Sequence, residues 1–205
     1  MDDHPEPPTR RFFVALAPPD EAKDELARAL QPAYAAYPLL RWNRIADWHI
    51  TLVFLGELPS TAAPVLRAAL PGAAATHPAL RLGLRGGGHF DGRTLWSGIT
   101  GDLEGLHRLS TDVRELIRSH GLDFPDRPLR PHLTLARARR EDPTGVPLAA
   151  AGLADFAGRT WSAERLHLVA SNTARGPGPI RYRDLDSWPL APTTHPGDSA
   201  PPADR

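Results

Sequence analysis

The chain contains no cysteine. This absence excludes disulfide scaffolds, thiolate metal sites and cysteine nucleophiles. Long apolar runs are also missing: a membrane span needs about 18 uninterrupted apolar residues, and no stretch of the sequence approaches that length. The N-terminal stretch MDDHPEPPTRR is acidic and proline-rich, unlike the basic and then apolar start of a signal peptide. We therefore expect a cytoplasmic protein.

Lysine is almost absent, since Lys23 is the only one and every other cationic side chain is arginine. The formal net charge is zero, which argues against a protein that coats nucleic acid through bulk positive charge. Any contact with a polyanion should therefore be confined to a local site. Arginine suits phosphate or carboxylate, although a compositional bias of the genome explains its abundance more simply.

Several catalytic motifs are missing as well. The sequence has no GxSxG elbow, no HExxH and no His-x-His, and the Gly86-Gly87-Gly88 run lacks the lysine of a phosphate-binding loop. These absences argue against serine hydrolases, nucleoside-triphosphate chemistry and a histidine-rich metal site. We expect no cofactor and no metal.

With 205 residues and 41 % hydrophobic residues, the chain can form one domain with a proper core. Residues 1–9 and 191–205 are polar and proline-rich, which predicts a flexible N-terminal tail and a disordered C-terminal tail. The remaining 10–190 should form a single bilobal domain, and we expect a monomer.

Apolar periodicity predicts alternating strands and helices in this domain. Expected strands cover 11–17, 41–45, 49–55, 80–84, 95–100, 129–136, 165–171 and 181–185. Expected helices cover 20–37, a segment from Ser60 that Pro71 and Gly72 should stop, 102–119 and 148–156. The Gly86–Gly88 run should break the strand before it. This order favours an α+β fold in which two similar lobes with antiparallel sheets face a central cleft and helices lie outside.

One short pattern occurs twice, in WHITLVFLG from Trp48 and in RPHLTLAR from Arg130. Side chains on a strand alternate between faces, so His49 and Thr51 should project together, as should His132 and Thr134. Two strands would then each present one imidazole and one hydroxyl to the cleft. A lone strand histidine is usually structural, but two copies with paired threonines favour function.

Two imidazoles facing one pocket can serve as a general acid and a general base, because histidine titrates near neutral pH. Displacement at phosphorus needs an entering and a leaving oxygen on opposite sides, which two opposed histidines would serve. The hydroxyls are suited to donate to anionic phosphate oxygens.

At these residues the sequence resembles the 2H phosphoesterase superfamily, and most closely its RNA 2',3'-cyclic phosphodiesterase branch, formerly called 2'-5' RNA ligases. The motifs that carry the resemblance are the two HxTx segments, with softer matches in RFFVAL from Arg11, in Arg41-Trp42 and in the closing stretch from Tyr182 to Leu190. The resemblance implies an RNA-processing hydrolase that opens 2',3'-cyclic phosphate ends to 2'-phosphomonoesters without a metal. It also implies a reversible 2'-5' RNA ligase activity.

The resemblance implies His49 as proton donor and His132 as proton acceptor, with Thr51 and Thr134 holding phosphate. Arg137 matches the arginine that the family places after the second threonine. Strict alternation puts Arg137 on the opposite face unless the strand bulges or ends near Ala136, whereas Arg130 shares a face with His132. We rank Arg137 first and Arg130 second as phosphate ligands. Phe13 is a candidate for base stacking, although an aromatic residue in an apolar strand is more often part of the core.

Two alternatives remain open at this point. One keeps the chemistry and changes the substrate, to another cyclic phosphate or a 2'-5' oligonucleotide. The other is a noncatalytic nucleotide- or RNA-binding module that retains the phosphate cradle. The intact histidines in both copies favour the enzyme. No residue in the sequence indicates specificity for a particular base.

Overall fold

The structure is a computed structural model, which describes residues 8–139, 144–172 and 181–192. In these ranges nine strands and five α-helices follow one another in the order β1 (Thr9–Leu16), α1 (Asp20–Ala29), α2 (Gln31–Ala36), β2 (Arg41–Trp42), β3 (Ile50–Pro59), α3 (Ala62–Thr76), β4 (Leu80–Phe90), β5 (Thr94–Gly101), α4 (Leu103–Ser119), β6 (His132–Arg137), α5 (Gly145–Gly152), β7 (Trp161–Ala163), β8 (Arg165–Ser171) and β9 (Tyr182–Pro189). A 3₁₀ turn at Ile45–Asp47 precedes β3.

All nine strands belong to one sheet with the order β7-β4-β5-β6-β3-β1-β8-β9, and β2 pairs with β6. The two motif strands, β3 and β6, are neighbours in its middle and meet at the antiparallel pair of Ile50 with Leu133. One half of the sheet therefore contains β3, β1, β8 and β9, and the other contains β6, β5, β4 and β7. The two halves are continuous through the motif strands.

The helices pack on one face of this sheet. Alternate residues of β1 point to opposite faces of the sheet. Phe12, Val14 and Leu16 lie in the main core with the helices. Phe13 and Ala15 point the other way and form a small second cluster with Val169, flanked by Phe54 and Tyr182. This second face carries the motif side chains and lines the cleft.

Helix α4 illustrates how the sequence forms the outer layer. Asp102 caps it, since its Oδ1 accepts from the Gly105 backbone N–H at 2.8 Å. Leu106, Leu109, Val113 and Ile117 recur at helical spacing and are fully buried. The capped, amphipathic helix packs against β3 and β4, and its Ser110 hydroxyl donates to the Leu52 carbonyl of β3 at 2.9 Å.

The predicted α+β class with antiparallel strands and outer helices is confirmed. The prediction that Gly86–Gly88 ends the strand is wrong, because β4 runs through the glycines to Phe90 with a bulge near Gly86. These glycines are needed for close approach on both faces. A Cβ on Gly87 would lie 2.7 Å from the Ala150 carbonyl oxygen, and one on Gly88 would lie 2.2 Å from the Trp96 indole.

The predicted stop at Pro71 is also wrong, because α3 continues through it to Thr76. Ala73 and Ala74 beyond the proline are buried, so packing outweighs the missing backbone hydrogen bond.

Other boundaries differ by smaller amounts. The predicted helix 20–37 is split at Leu30, just before Pro32, into α1 and α2. Predicted strand 41–45 shortens to two residues, helix 148–156 begins earlier at Gly145, and β9 extends to Pro189.

β1 starts at Thr9, the last residue of the expected N-terminal tail, and Ala191 of the expected C-terminal tail forms a bridge with Pro78. Residues 1–7 and 193–205 of those tails lie outside the described ranges. Among the helices that the structure describes, none is long and apolar enough to cross a membrane.

Candidate active site

The antiparallel register of β3 and β6 brings the two copies of the motif together. Ile50 pairs with Leu133, and both side chains are buried in the main core. The flanking residues face the cleft, so the register sets His49 beside Thr134 and Thr51 beside His132. The two imidazoles are close enough that the charge of His132 influences the pKa of His49. The structure thus brings together all four predicted motif residues.

Each histidine is oriented by a backbone carbonyl two residues before it. His49 Nδ1 lies 2.7 Å from the Asp47 carbonyl oxygen, and His132 Nδ1 lies 2.6 Å from the Arg130 carbonyl oxygen. A carbonyl only accepts, so Nδ1 must carry the proton in both rings. Nε2 is then left in each ring to accept or donate a proton in the cleft.

Aromatic rings surround the two histidines unequally. The Phe13 ring is stacked on His49 with centroids 4.6 Å apart, and the Tyr182 ring contacts His49 edge-on at 5.2 Å. His132 meets only the Phe90 ring, edge-on at 4.9 Å, among the ring pairs of the described chain. His49 is consequently held in a more enclosed setting than His132.

Burial is the main influence on both imidazoles. It lowers the pKa of His49 below its ordinary value, an effect that the backbone hydrogen bond to Asp47 and the Asp47 carboxylate oppose. Burial likewise lowers the pKa of His132, and the nearby guanidiniums of Arg137 and Arg130 lower it further, against the hydrogen bond to the Arg130 carbonyl. The Asp47 charge thus favours the protonated form of His49, against smaller opposing effects of His132 and Lys23, whereas the Arg137 and Arg130 charges favour the neutral form of His132.

Both threonine side chains are half-buried on the cleft face. The Thr134 carbonyl accepts from Asn43 Nδ2 at 3.0 Å, which ties this part of β6 to the segment after β2. Neither threonine hydroxyl has a hydrogen-bond partner within the described ranges, so both are available to a bound anion.

A bulge in β6 decides the position of Arg137. Leu95 of β5 pairs with Ala136, but the next residue, Trp96, pairs with Thr134, so Leu135 is an extra residue. Leu135 and Ala136 are consequently both buried, and Arg137 returns to the face that carries Thr134. Its Nη1 donates to Thr94 Oγ1 at 3.0 Å. The bulge removes the conflict between strict alternation and the family pattern.

Arg130 also lies near the site, but in a different setting. Its guanidinium is 5.8 Å from the centre of the Phe90 ring, whose edge contacts His132. Both arginines thus contribute positive charge at His132, and their roles as phosphate ligands stay predictions.

Phe13 is only 4 % exposed, and its ring packs on His49 and Tyr182. The predicted role in base stacking stays a prediction. The structure shows another role for the Phe13 ring, because it packs against the imidazole of His49 and supports it.

Sequence reasoning missed Tyr182 and Phe90 as residues of this site. Tyr182 opens the closing segment of the family pattern, and Phe90 follows the Gly86–Gly88 run, but neither position indicates contact with a histidine. Burial raises the pKa of Tyr182, which also lies within reach of the Arg137 charge from the other half of the sheet. Neighbouring His89 is exposed and accepts from the Gly92 backbone N–H at 3.2 Å in the β4–β5 turn.

Two other histidines pair with carboxylates away from the motif. His77 Nε2 lies 2.9 Å from Asp112, and His167 Nδ1 lies 2.7 Å from Asp184. In the part of the chain that the structure describes, no group of three or more metal-ligating side chains converges.

Comparisons with known proteins agree with this architecture. The family model described as the 2'-5' RNA ligase superfamily matches residues 18–175. A Geobacillus stearothermophilus protein named RNA 2',3'-cyclic phosphodiesterase is 31 % identical over 183 residues, which are 87 % of this chain and 57 % of that protein. The chain thus spans little more than half the length of that relative.

An Escherichia coli protein of the same name is 30 % identical over 187 residues, which are 88 % of this chain and 97 % of the relative. Among solved structures, a Thermus thermophilus protein superimposes with a TM-score of 0.72 at 26 % identity, covering 90 % of this chain and all of that one. Escherichia coli LigT, solved with 3'-AMP, has a TM-score of 0.70 at 24 % identity over 89 % of this chain and 99 % of its own. By the matched residues and by the fold, this chain belongs to the 2'-5' RNA ligase superfamily of 2H phosphoesterases.

Proposed function

We propose that this chain is an RNA 2',3'-cyclic phosphodiesterase, which hydrolyses cyclic phosphate ends to 2'-phosphomonoesters by two-histidine acid–base catalysis. The observation that carries the proposal is the matched orientation of the two imidazoles. Each Nδ1 is held by a carbonyl at the same spacing, which leaves each Nε2 for proton transfer beside two hydroxyls without a partner in the described ranges. The names of the relatives support the same substrate class.

In this mechanism the cyclic phosphate lies between β3 and β6, and Thr51 and Thr134 donate to its nonbridging oxygens. His132 Nε2 takes a proton from water as the water oxygen attacks phosphorus. The bond between phosphorus and the 3'-oxygen breaks, and His49 donates its Nε2 proton to that oxygen. The products are a 2'-phosphate and a free 3'-hydroxyl.

The local charges support this division of roles. The Asp47 carboxylate stabilises an imidazolium at His49, as the acid requires, and the guanidiniums near His132 favour the neutral ring that the base requires. A bound phosphodiester anion raises the pKa of both rings, which supplies the protonated acid at neutral pH. With a ribose 5'-hydroxyl in place of water, the same groups would form a 2'-5' bond.

The test uses a short RNA with a 2',3'-cyclic phosphate end, incubated with the protein in excess EDTA. We expect conversion to the 2'-phosphate, and His49→Ala and His132→Ala should each lower kcat by about 10²- to 10⁴-fold. His107→Gln, which changes an exposed histidine on α4, is the matched control and should retain full activity.

Loss of activity in EDTA that added metal restores would contradict the metal-independent mechanism. Binding of the RNA without turnover would instead favour the noncatalytic binding module. Turnover of other cyclic phosphates in preference to RNA ends would keep the mechanism and change the substrate.

A further inference from the structure

A second feature of the cleft face lies beyond the motif residues, further along β3. Two register shifts between β1 and β3 place Thr51, Phe54 and Glu57 opposite Ala15, Phe13 and Arg11. Phe54 therefore shares the cleft face with Thr51 although the two are three residues apart. It packs against the cleft-face cluster of Phe13, Ala15 and Val169. It lies about 10 Å along the strand from Thr51.

Two guanidiniums lie over the Phe54 ring. Arg11 Cζ is 5.9 Å and Arg127 Cζ is 5.1 Å from the ring centroid, both within cation–π range. We call these three residues the arginine–phenylalanine stack. Arg11 also pairs with Glu57 at 3.6 Å. Arg127 is exposed and has no carboxylate partner among the described residues, so its charge is not neutralised within the stack.

The loop that carries Arg127 is anchored to helix α4. Arg114 and Arg118 both pair with Asp126, and Arg114 donates to the Arg127 carbonyl oxygen. The Arg118 guanidinium also lies 5.0 Å from the Phe124 ring centre. These contacts fix the backbone at Arg127 while its side chain extends over Phe54. The guanidinium is therefore held in place before any ligand binds, which reduces the entropy lost on binding.

We propose that the arginine–phenylalanine stack binds the RNA backbone on the 5' side of the terminal cyclic phosphate. This inference rests on the proposed function. A cyclic mononucleotide carries one phosphate, which the histidines and threonines take, so the Arg127 guanidinium beside Phe54 meets a substrate phosphate only in a longer chain. Arginine offers a planar set of donors for phosphate oxygens, and stacking on Phe54 leaves the N–H edges free.

The charge of the whole chain is consistent with such a local contact. Since the net charge is zero, long-range attraction cannot hold the RNA, and cations must be concentrated where the strand lies. Arg130 beside His132 and Arg127 beside Phe54 come from the same loop before β6. This loop would thus follow the strand away from the reacting phosphate.

The test compares a nucleoside 2',3'-cyclic phosphate with a pentanucleotide that ends in the same group, in wild-type protein and in Arg127→Gln. We expect the ratio of kcat/KM for the pentanucleotide to that for the mononucleotide to fall by about tenfold in the variant. The slope of log kcat/KM against log salt for the pentanucleotide should become shallower by about 0.7, as for the loss of one phosphate contact on a single strand. Arg127→Lys should keep the salt slope while losing part of the preference.

Arg108→Gln is the matched charge control, because Arg108 is exposed on α4 and pairs only with Glu104 in the described structure. It should leave the ratio and the salt slope unchanged. Equal losses on both substrates in Arg127→Gln, or an unchanged ratio, would overturn the inference. Thermal melting of each variant separates these outcomes from unfolding.

A binding measurement distinguishes failure of this inference from failure of the proposed function. The affinity for a labelled pentanucleotide with a 2'-phosphate end is measured by fluorescence anisotropy. If the wild type hydrolyses neither substrate, the proposed activity fails, and a tenfold weaker affinity of Arg127→Gln still supports the stack as an RNA site. Equal affinities of wild type and variant would overturn it in either case.

Discussion

Replacement of Arg137 by glutamine tests which arginine serves the phosphate. The bulge at Leu135 returns Arg137 to the face of Thr134, and Nη1 donates to Thr94 Oγ1 at 3.0 Å, which leaves its other N–H groups for a ligand. A hydrogen bond to a charged group contributes about 1.5–3 kcal/mol. If Arg137 binds the reacting phosphate, the substitution should lower kcat/KM by roughly 10- to 150-fold.

The same substitution should change the pH dependence in a defined direction. The base must be neutral, so activity rises with pH through the pKa of His132. The Arg137 charge lowers that pKa, and its loss should move the acidic limb of the kcat/KM profile to higher pH. Arg130→Gln should move the limb in the same direction with a smaller loss of rate, because the Arg130 guanidinium lies over Phe90.

The assay is the pH profile of cyclic phosphate hydrolysis for wild type, Arg137→Gln and Arg130→Gln, with Arg139→Gln as control. Arg139 is exposed two residues beyond Arg137, so its loss matches the change in net charge. A larger rate loss in Arg130→Gln than in Arg137→Gln would refute our ranking. An unmoved acidic limb in Arg137→Gln would refute the electrostatic argument, whatever happens to the rate.

Two further predictions concern protonation and packing. The pKa values of His49 and His132 are both lowered in the free protein, so kcat/KM should peak on the acid side of the ordinary histidine pKa of about 6.5. The kcat profile should lie at higher pH, because bound phosphate raises both pKa values. A kcat/KM optimum above about pH 7 would contradict this prediction. Gly88→Ala should lower the unfolding free energy in urea by about 1–3 kcal/mol, since its Cβ would lie 2.2 Å from the Trp96 indole. Gly72→Ala, with nothing within 4 Å inside helix α3, should instead be neutral or stabilising, and equal losses at the two sites would contradict the packing argument.

The sequence identifies the parts of the site that depend on local spacing. The repeated HxTx pattern predicts the two strands and the side chains that share a face, and helical periodicity predicts α4 almost to its ends. Such features follow from one segment and its burial. The prediction fails at Pro71 and at the glycine run because the outcome there depends on distant contacts. Ala150 and Trp96, which occupy the space that Gly87 and Gly88 leave, are not visible from the glycines themselves.

The surroundings of the two histidines could not be predicted either, because they come from distant strands. Phe13 of β1 and Tyr182 of β9 enclose His49, while Phe90 of β4 reaches His132 across β5. The sequence around either motif does not indicate that these rings contact the histidines. The pKa differences that support the two roles therefore arise from tertiary structure, although the histidines themselves are evident in the sequence.

The irregularities of β3 and β6 explain both the failures of strict alternation and the shape of the site. In β3, the extra residue Leu52 turns into the core and brings Phe54 to the face of Thr51, and the extra Leu55 does the same for Glu57. In β6, the extra Leu135 does the same for Arg137. A bulge bends its strand and increases the local twist, so each one also curves the sheet around the cleft. The departures from period-two alternation thus bring Phe54 and Arg137, two of the residues in our proposals, to the cleft face.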